Sequence, residues 1–186
     1  MILSVTPVAC GSAQRLGGER VWPGALERPD TAVADPIVSR ALMLGSIRLT
    51  APIEVLTPEE FIAKYAPRAD KATQMSHLQE YRRLAAMVVQ GQHKVFVFRG
   101  SETYRNASRG DSFALYVLAS AVHHELRHLH GDDECAAYNA QMQFIESFIA
   151  KGLIDKKRGE QYVQHLADVR DSVAPHGGRK CRAGSF

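Results

Sequence analysis

The sequence predicts an α+β domain, and three observations carry that expectation. His93-Lys94-Val95-Phe96-Val97-Phe98-Arg99 is β-branched and aromatic and is bounded by Gly91 and Gly100, as a strand should be. After it, apolar residues recur at helical spacing in three long segments, beginning near 112, 134 and 155. Gly131 separates the first two of these helices with a turn, so strand, helix, turn and second helix follow in order.

Taken from the start, residues 1–35 mix Gly11, Gly17, Gly18 and Gly24 with Pro7, Pro23 and Pro29 and show no apolar period. This segment is expected to be disordered, with Trp22 as an anchor onto the domain. The domain itself is expected over 36–174, opening with a short helix through Ile37–Leu44. Ile47–Thr50 and Ile53–Leu56 read as β material. Thr57-Pro58-Glu59-Glu60 is a helix start, with a Thr cap, Pro at the first position and a Glu to complete a capping box. That helix carries Phe61, Ile62 and Tyr65 and stops before Pro67. Leu78, Tyr81, Leu84, Ala85 and Val88 suggest another helix from about Ser76 to Gln90.

Ser101–Gly110 reads as a polar loop, after which Asp111 or Ser112 caps a helix. The next helix runs from the Gly131 turn to about Lys151, burying Tyr138, Met142, Ile145 and Ile149, and Gly152 ends it. The last, from about Asp155 to Val173, places Tyr162, Leu166, Val169 and Val173 on one face. Residues 175–186 are expected to form a basic, flexible tail.

Composition narrows the function classes. A chain of 186 residues with 45% hydrophobic content can bury one well-packed core. Its 23 basic and 20 acidic residues are too balanced to imply nucleic acid. The basic groups Lys156-Lys157-Arg158 and Arg179-Lys180-Cys181-Arg182 carry no interleaved aromatics. Cys10, Cys135 and Cys181 are odd in number and lack CxxC spacing, so neither a disulfide framework nor a thiolate zinc site is expected. No apolar run has the length of a membrane span. The opening MILSVTPVAC lacks the basic start of a signal peptide, making the cytoplasm the default location, with export left open by Cys10 after Val8-Ala9.

The chemistry concentrates in residues 121–138, AVHHELRHLHGDDECAAY. His124-Glu125-Leu126-Arg127-His128 is an HExxH pattern. On a helix, residues four apart share a face, so His124 and His128 can offer two imidazoles to one metal ion. Glu125 stands where a carboxylate can take a proton from a water that the metal activates. Catalytic zinc usually takes three protein groups, and Glu134 is the first candidate for the third, with Asp133 second. Gly131 can end the first helix in the left-handed conformation and Asp132 can cap the next, placing Glu134 in its first turn.

The helical wheel sorts the remaining residues. Leu115, Leu118, Val122, Leu126 and Leu129 form the core face, with His124 and His128 on its flank. Tyr116, His123, Arg127 and His130 project the other way, so His123 and His130 are expected on the surface rather than on the metal.

The pattern His124-Glu125-x-x-His128, followed by Glu134 and Ala137-Tyr138, resembles the zincin metallopeptidases, in particular minimal gluzincins of the ImmA/IrrE-like bacterial type. The resemblance covers about residues 93–150. It implies a small sheet packed on the motif helix, with two further helices behind, and Zn²⁺ held by His124, His128 and Glu134. It also implies that His93–Arg99 is an edge strand able to pair with an extended peptide substrate.

His124-Glu125-x-x-His128-Leu129-x-Gly131 is similar to a peptide deformylase motif as well. Those enzymes take their third ligand from an upstream cysteine, and none lies between Cys10 and Cys135. The expected function is therefore a zinc metallopeptidase with Glu125 as general base, acting on a peptide or protein. The alternative is a zincin-fold metal-binding regulatory or interaction protein without turnover. Tyr138 is a candidate partner of a ligand or a core residue, and Tyr104, Arg109, Tyr162 and His165 are further candidate donors for an oxyanion.

Overall fold

The computed structural model describes residues 33–173, and within them the chain forms seven helices and a three-stranded mixed sheet. The expectations for Trp22, for most of the N-terminal segment and for the basic tail fall outside the described residues. Helix α1 (Pro36–Leu44) starts on an Asp35 cap whose carboxylate accepts from the N–H groups of Ile37 and Val38. It ends on Ser46, which stands at φ 52°, while the Ile47 N–H donates back to the Leu42 carbonyl at 3.0 Å. This is the position where helices favour glycine, because a Cβ is strained there. Ser46→Gly is accordingly expected to stabilise the fold by about 0.5–1 kcal/mol. A higher urea midpoint at unchanged slope would register it, and a lower midpoint would refute it. Gly45 is needed for space instead: a Cβ there would lie 2.9 Å from Phe144 Cζ and 3.0 Å from the Ala119 Cβ.

The sheet has the order β1 (Ile53–Leu56), β3 (Val95–Phe98), β2 (Ala86–Val88), with β1 parallel and β2 antiparallel to β3. The strand expected at an edge is therefore the central one. Its four residues Val-Phe-Val-Phe are apolar at every position and all are buried, as a strand covered on both faces requires. Val95 and Val97 join α1 and α5 (Ser112–Leu129) in the main core. Phe96 and Phe98 meet Phe61 of α2 (Pro58–Tyr65) on the other face, in T-shaped contacts at 5.0 and 5.4 Å between ring centroids. At the β1 edge, Glu54 gathers Lys64, Tyr65 and Lys94. Burial opposes its ionisation, but these donors overcome it and hold the carboxyl down at about 2.

Three other segments depart from the sequence reading. Ile47–Thr50 pairs with no strand: its start closes α1, and Ile47 and Leu49 pack on the core from outside the sheet. The helix expected over Ser76–Gln90 begins earlier, as α3 (Lys71–Tyr81) on an Asp70 cap, and stops at Tyr81. Ala86–Val88 pairs with Val95–Val97 instead, since lateral pairing with β3 outweighs a helical spacing of apolar residues. The polar loop over 101–110 contains α4 (Glu102–Ser108), capped by Ser101, whose hydroxyl accepts from the Tyr104 N–H.

The expected capping box at Thr57 is present in full. Asp111 caps α5, which packs against α1, α4, both β2 and β3, and α6 (Glu134–Ala150). Helix α7 (Lys156–Val173) then packs on α6. Because α6 folds back along α5, the side of α5 expected to face water is largely covered. Tyr116 is buried against Phe148, and His123 stacks on Phe144 at 5.1 Å. His130, at the end of the helix, is exposed. A Gln141 amide joins the Ser120 and Tyr162 hydroxyls, tying α5, α6 and α7 together by a buried polar contact.

Candidate metal centre

Helix α5 carries His124 and His128 one turn apart, and the turn that follows sets the third group. Gly131 takes φ 95°, which reverses the chain within three residues. The cap of α6 is Asp133, not Asp132: the Asp133 carboxylate accepts from the Ala136 N–H at 2.8 Å. Asp133 is thereby spent on the backbone. Asp132 takes Arg127 with its carboxylate and the His128 Nδ1–H with its carbonyl, at 3.0 Å. Glu134 begins α6 and faces both histidines.

The three groups converge. His124 Nε2 lies 3.0 Å from His128 Nε2. Glu134 Oε2 lies 3.5 Å from His124 Nε2, and Glu134 Oε1 lies 3.5 Å from His128 Nε2. Zinc bonds of about 2.0–2.1 Å at tetrahedral angles put ligand atoms about 3.3–3.4 Å apart. The observed triangle fits that spacing, and this His-His-Glu group can hold a metal ion.

The Asp132 carbonyl orients the His128 ring. A ring N–H is needed at His128 Nδ1 to satisfy the Asp132 carbonyl, which leaves Nε2 of the neutral ring as a lone pair aimed into the triangle. Burial works against a charge on His128, yet the Glu134 carboxylate, the Asp132 carbonyl and Glu125 outweigh it and raise the imidazole to about 9. Below about pH 9 the ring therefore also holds a proton on Nε2, which a metal ion has to displace to bind there. His124 Nδ1 is buried without a hydrogen-bond partner, and the ring is held by packing on Tyr138 at 4.4 Å, in a T-shaped contact.

Glu125 lies beside these ligands without joining them. Its Oε2 accepts the Val88 N–H of β2 at 2.9 Å, so the edge strand orients the carboxylate. Desolvation raises the Glu125 carboxyl, opposed by His124 and His128 and reinforced by Glu134, with the net above the ordinary carboxylate value. The donor from Val88 was not legible in the sequence, where Val88 reads as helix. The Asp132 carbonyl was equally hidden, because a backbone acceptor has no residue type.

The remaining candidates sit elsewhere in the fold. The Tyr104 hydroxyl donates to Asp35 at 2.7 Å, and the Tyr162 hydroxyl is engaged with Gln141. Arg109 caps the end of α4, and the His165 ring lies beside Tyr162 on α7. Cys135, next to Glu134, is disulfide-bonded. The sequence, with three cysteines and no CxxC spacing, did not lead one to expect a disulfide there. No helix among the described residues is long and apolar enough to cross a membrane. Comparison with protein-family models, curated proteins and solved structures finds no match to this chain.

Proposed function

We propose that this protein is a zinc-dependent hydrolase of zincin type, and that it cleaves peptide bonds. The convergence of His124, His128 and Glu134, with Glu125 immediately alongside, is the observation that carries this reading. Two imidazoles and one carboxylate suit zinc, and three protein groups leave a coordination position open, as catalytic rather than structural sites do. The resemblance in the HExxH pattern points the same way, as does a small sheet packed on the motif helix.

His124, His128 and Glu134 would hold the zinc, which would supply Lewis acidity to polarise a carbonyl and to lower the pKa of a water. Glu125 would accept a proton from the water as its oxygen bonds to the peptide carbonyl carbon, and would return that proton to the amine as the C–N bond breaks. The Val88 N–H keeps the carboxylate aimed while it does so. Asp132 fixes the His128 ring, and Tyr138 fixes that of His124. Strand β2 lies at the sheet edge beside Glu125, where an extended peptide can add main-chain hydrogen bonds.

The test is cleavage of a pool of unstructured fluorogenic peptides by the zinc-loaded chain, with a chelated sample in parallel. Cleavage that chelator removes and zinc restores is the expected result. Stoichiometric zinc with no cleavage of any peptide would reject the peptidase reading and leave a metal-binding protein without turnover.

A further inference from the structure

A second site is built on the other flank of α5, independent of the metal centre. A cleft of about 390 Å³ is walled by the end of α1, the 46–50 segment, α5 and Phe144 of α6. That volume suits a small molecule. Ile47, Leu126 and Phe144 give it an apolar lining, and its ionisable side chains are all basic. Arg48, Arg127, His123 and His130 all line it, and no acidic side chain does.

These groups are poised to donate. Arg48 is exposed and makes no ion pair among the described residues. Arg127 commits its Nε to Asp132, and a guanidinium has further N–H groups to offer. The His123 ring lines the cleft where it stacks on Phe144, and its buried Nδ1 has no hydrogen-bond partner. Ser46 and Thr50 add hydroxyls to the lining, Ser46 from its strained left-handed conformation.

We infer that this cleft binds a small organic anion, with an apolar body on Leu126 and Phe144 and a phosphate or carboxylate head between Arg48 and Arg127. Guanidinium groups match both head groups in two-point geometry, and an apolar lining with few convergent polar groups is what such ligands select. Nothing in the inference depends on hydrolase activity or on bound metal.

The experiment is a titration of the full isotope-labelled chain, metal-free, with phenyl phosphate and with benzoate, followed by NMR. Benzyl alcohol serves as the uncharged counterpart. At least one of the two anions is expected to shift the signals of Ile47, Leu126 and Phe144 saturably with a Kd of about 1 mM or tighter, and benzyl alcohol is not. Whichever anion saturates identifies the preferred head group. Arg48→Glu is expected to weaken binding about tenfold or more, and Arg48→Met to weaken it as well. Arg68→Glu, on an exposed loop remote in sequence from the cleft, should leave binding unchanged. No saturable shift with either anion up to about 10 mM would overturn the site. So would equal binding by the Arg48 variants, or shifts confined to His124 and His128.

Discussion

His124→Ala is expected to reduce bound zinc from about one ion per chain to a small fraction, with affinity falling on the order of 100-fold or more. The same loss is expected for His128→Ala and Glu134→Gln. Each variant removes one corner of a triangle whose edges are 3.0, 3.5 and 3.5 Å, and two remaining ligands no longer surround the ion. The neighbouring positions make the test discriminating. His123→Ala and His130→Ala should keep the metal, since His123 stacks on Phe144 and His130 points to solvent. Asp133→Asn should keep it too, because asparagine retains the cap of α6 and the Asp133 oxygen is already bonded to the Ala136 N–H.

Elemental analysis after dialysis against dilute zinc, beside circular dichroism to confirm folding, reads all six variants together. Metal retained in His124→Ala, or lost from His130→Ala, would move the centre elsewhere on α5. Absence of zinc from the unmodified chain after reconstitution would reduce the HExxH string to a coincidence on a buried helix.

How far the centre was legible follows from what each residue depends on. His124, His128 and Glu125 are fixed by helical periodicity alone, which a sequence displays directly. Glu134 needed only a reversal at Gly131, and the glycine advertises it. The cap moved by one residue, from Asp132 to Asp133, because both are good caps and the choice depends on Arg127 drawing Asp132 away. The sheet was less legible. Val-Phe-Val-Phe announces a strand, but whether it lies at an edge depends on what pairs with it. The residues that do so include Ala86-Met87-Val88, which share their apolar spacing with a helix. The face of α5 opposite the core was misread for the same kind of reason. A wheel shows which residues share a side, while the covering of that side by α6 is a tertiary fact.

The largest effect on turnover is expected from Glu125→Gln. Glutamine keeps the shape of the side chain and an oxygen for the Val88 N–H, so the contact to β2 survives. It cannot accept the proton of the attacking water or pass one to the leaving amine. The expected outcome is unchanged zinc content with kcat/KM lower by about 10²–10⁴-fold. Because the lesion is in proton transfer, the fall should lie in kcat, with KM little changed where chemistry is slow relative to release. Glu125→Asp gives an informative contrast: it keeps the acid but shortens the arm by one methylene, so it separates the need for a carboxylate from the need for its position. Partial activity in the aspartate variant and almost none in the glutamine variant would assign Glu125 as the base. Loss of zinc in Glu125→Gln would instead make Glu125 part of what holds the ligands in place. Unchanged turnover in that variant would remove it from the reaction, leaving the acceptor of the water proton to be sought among the groups facing the open side of the metal.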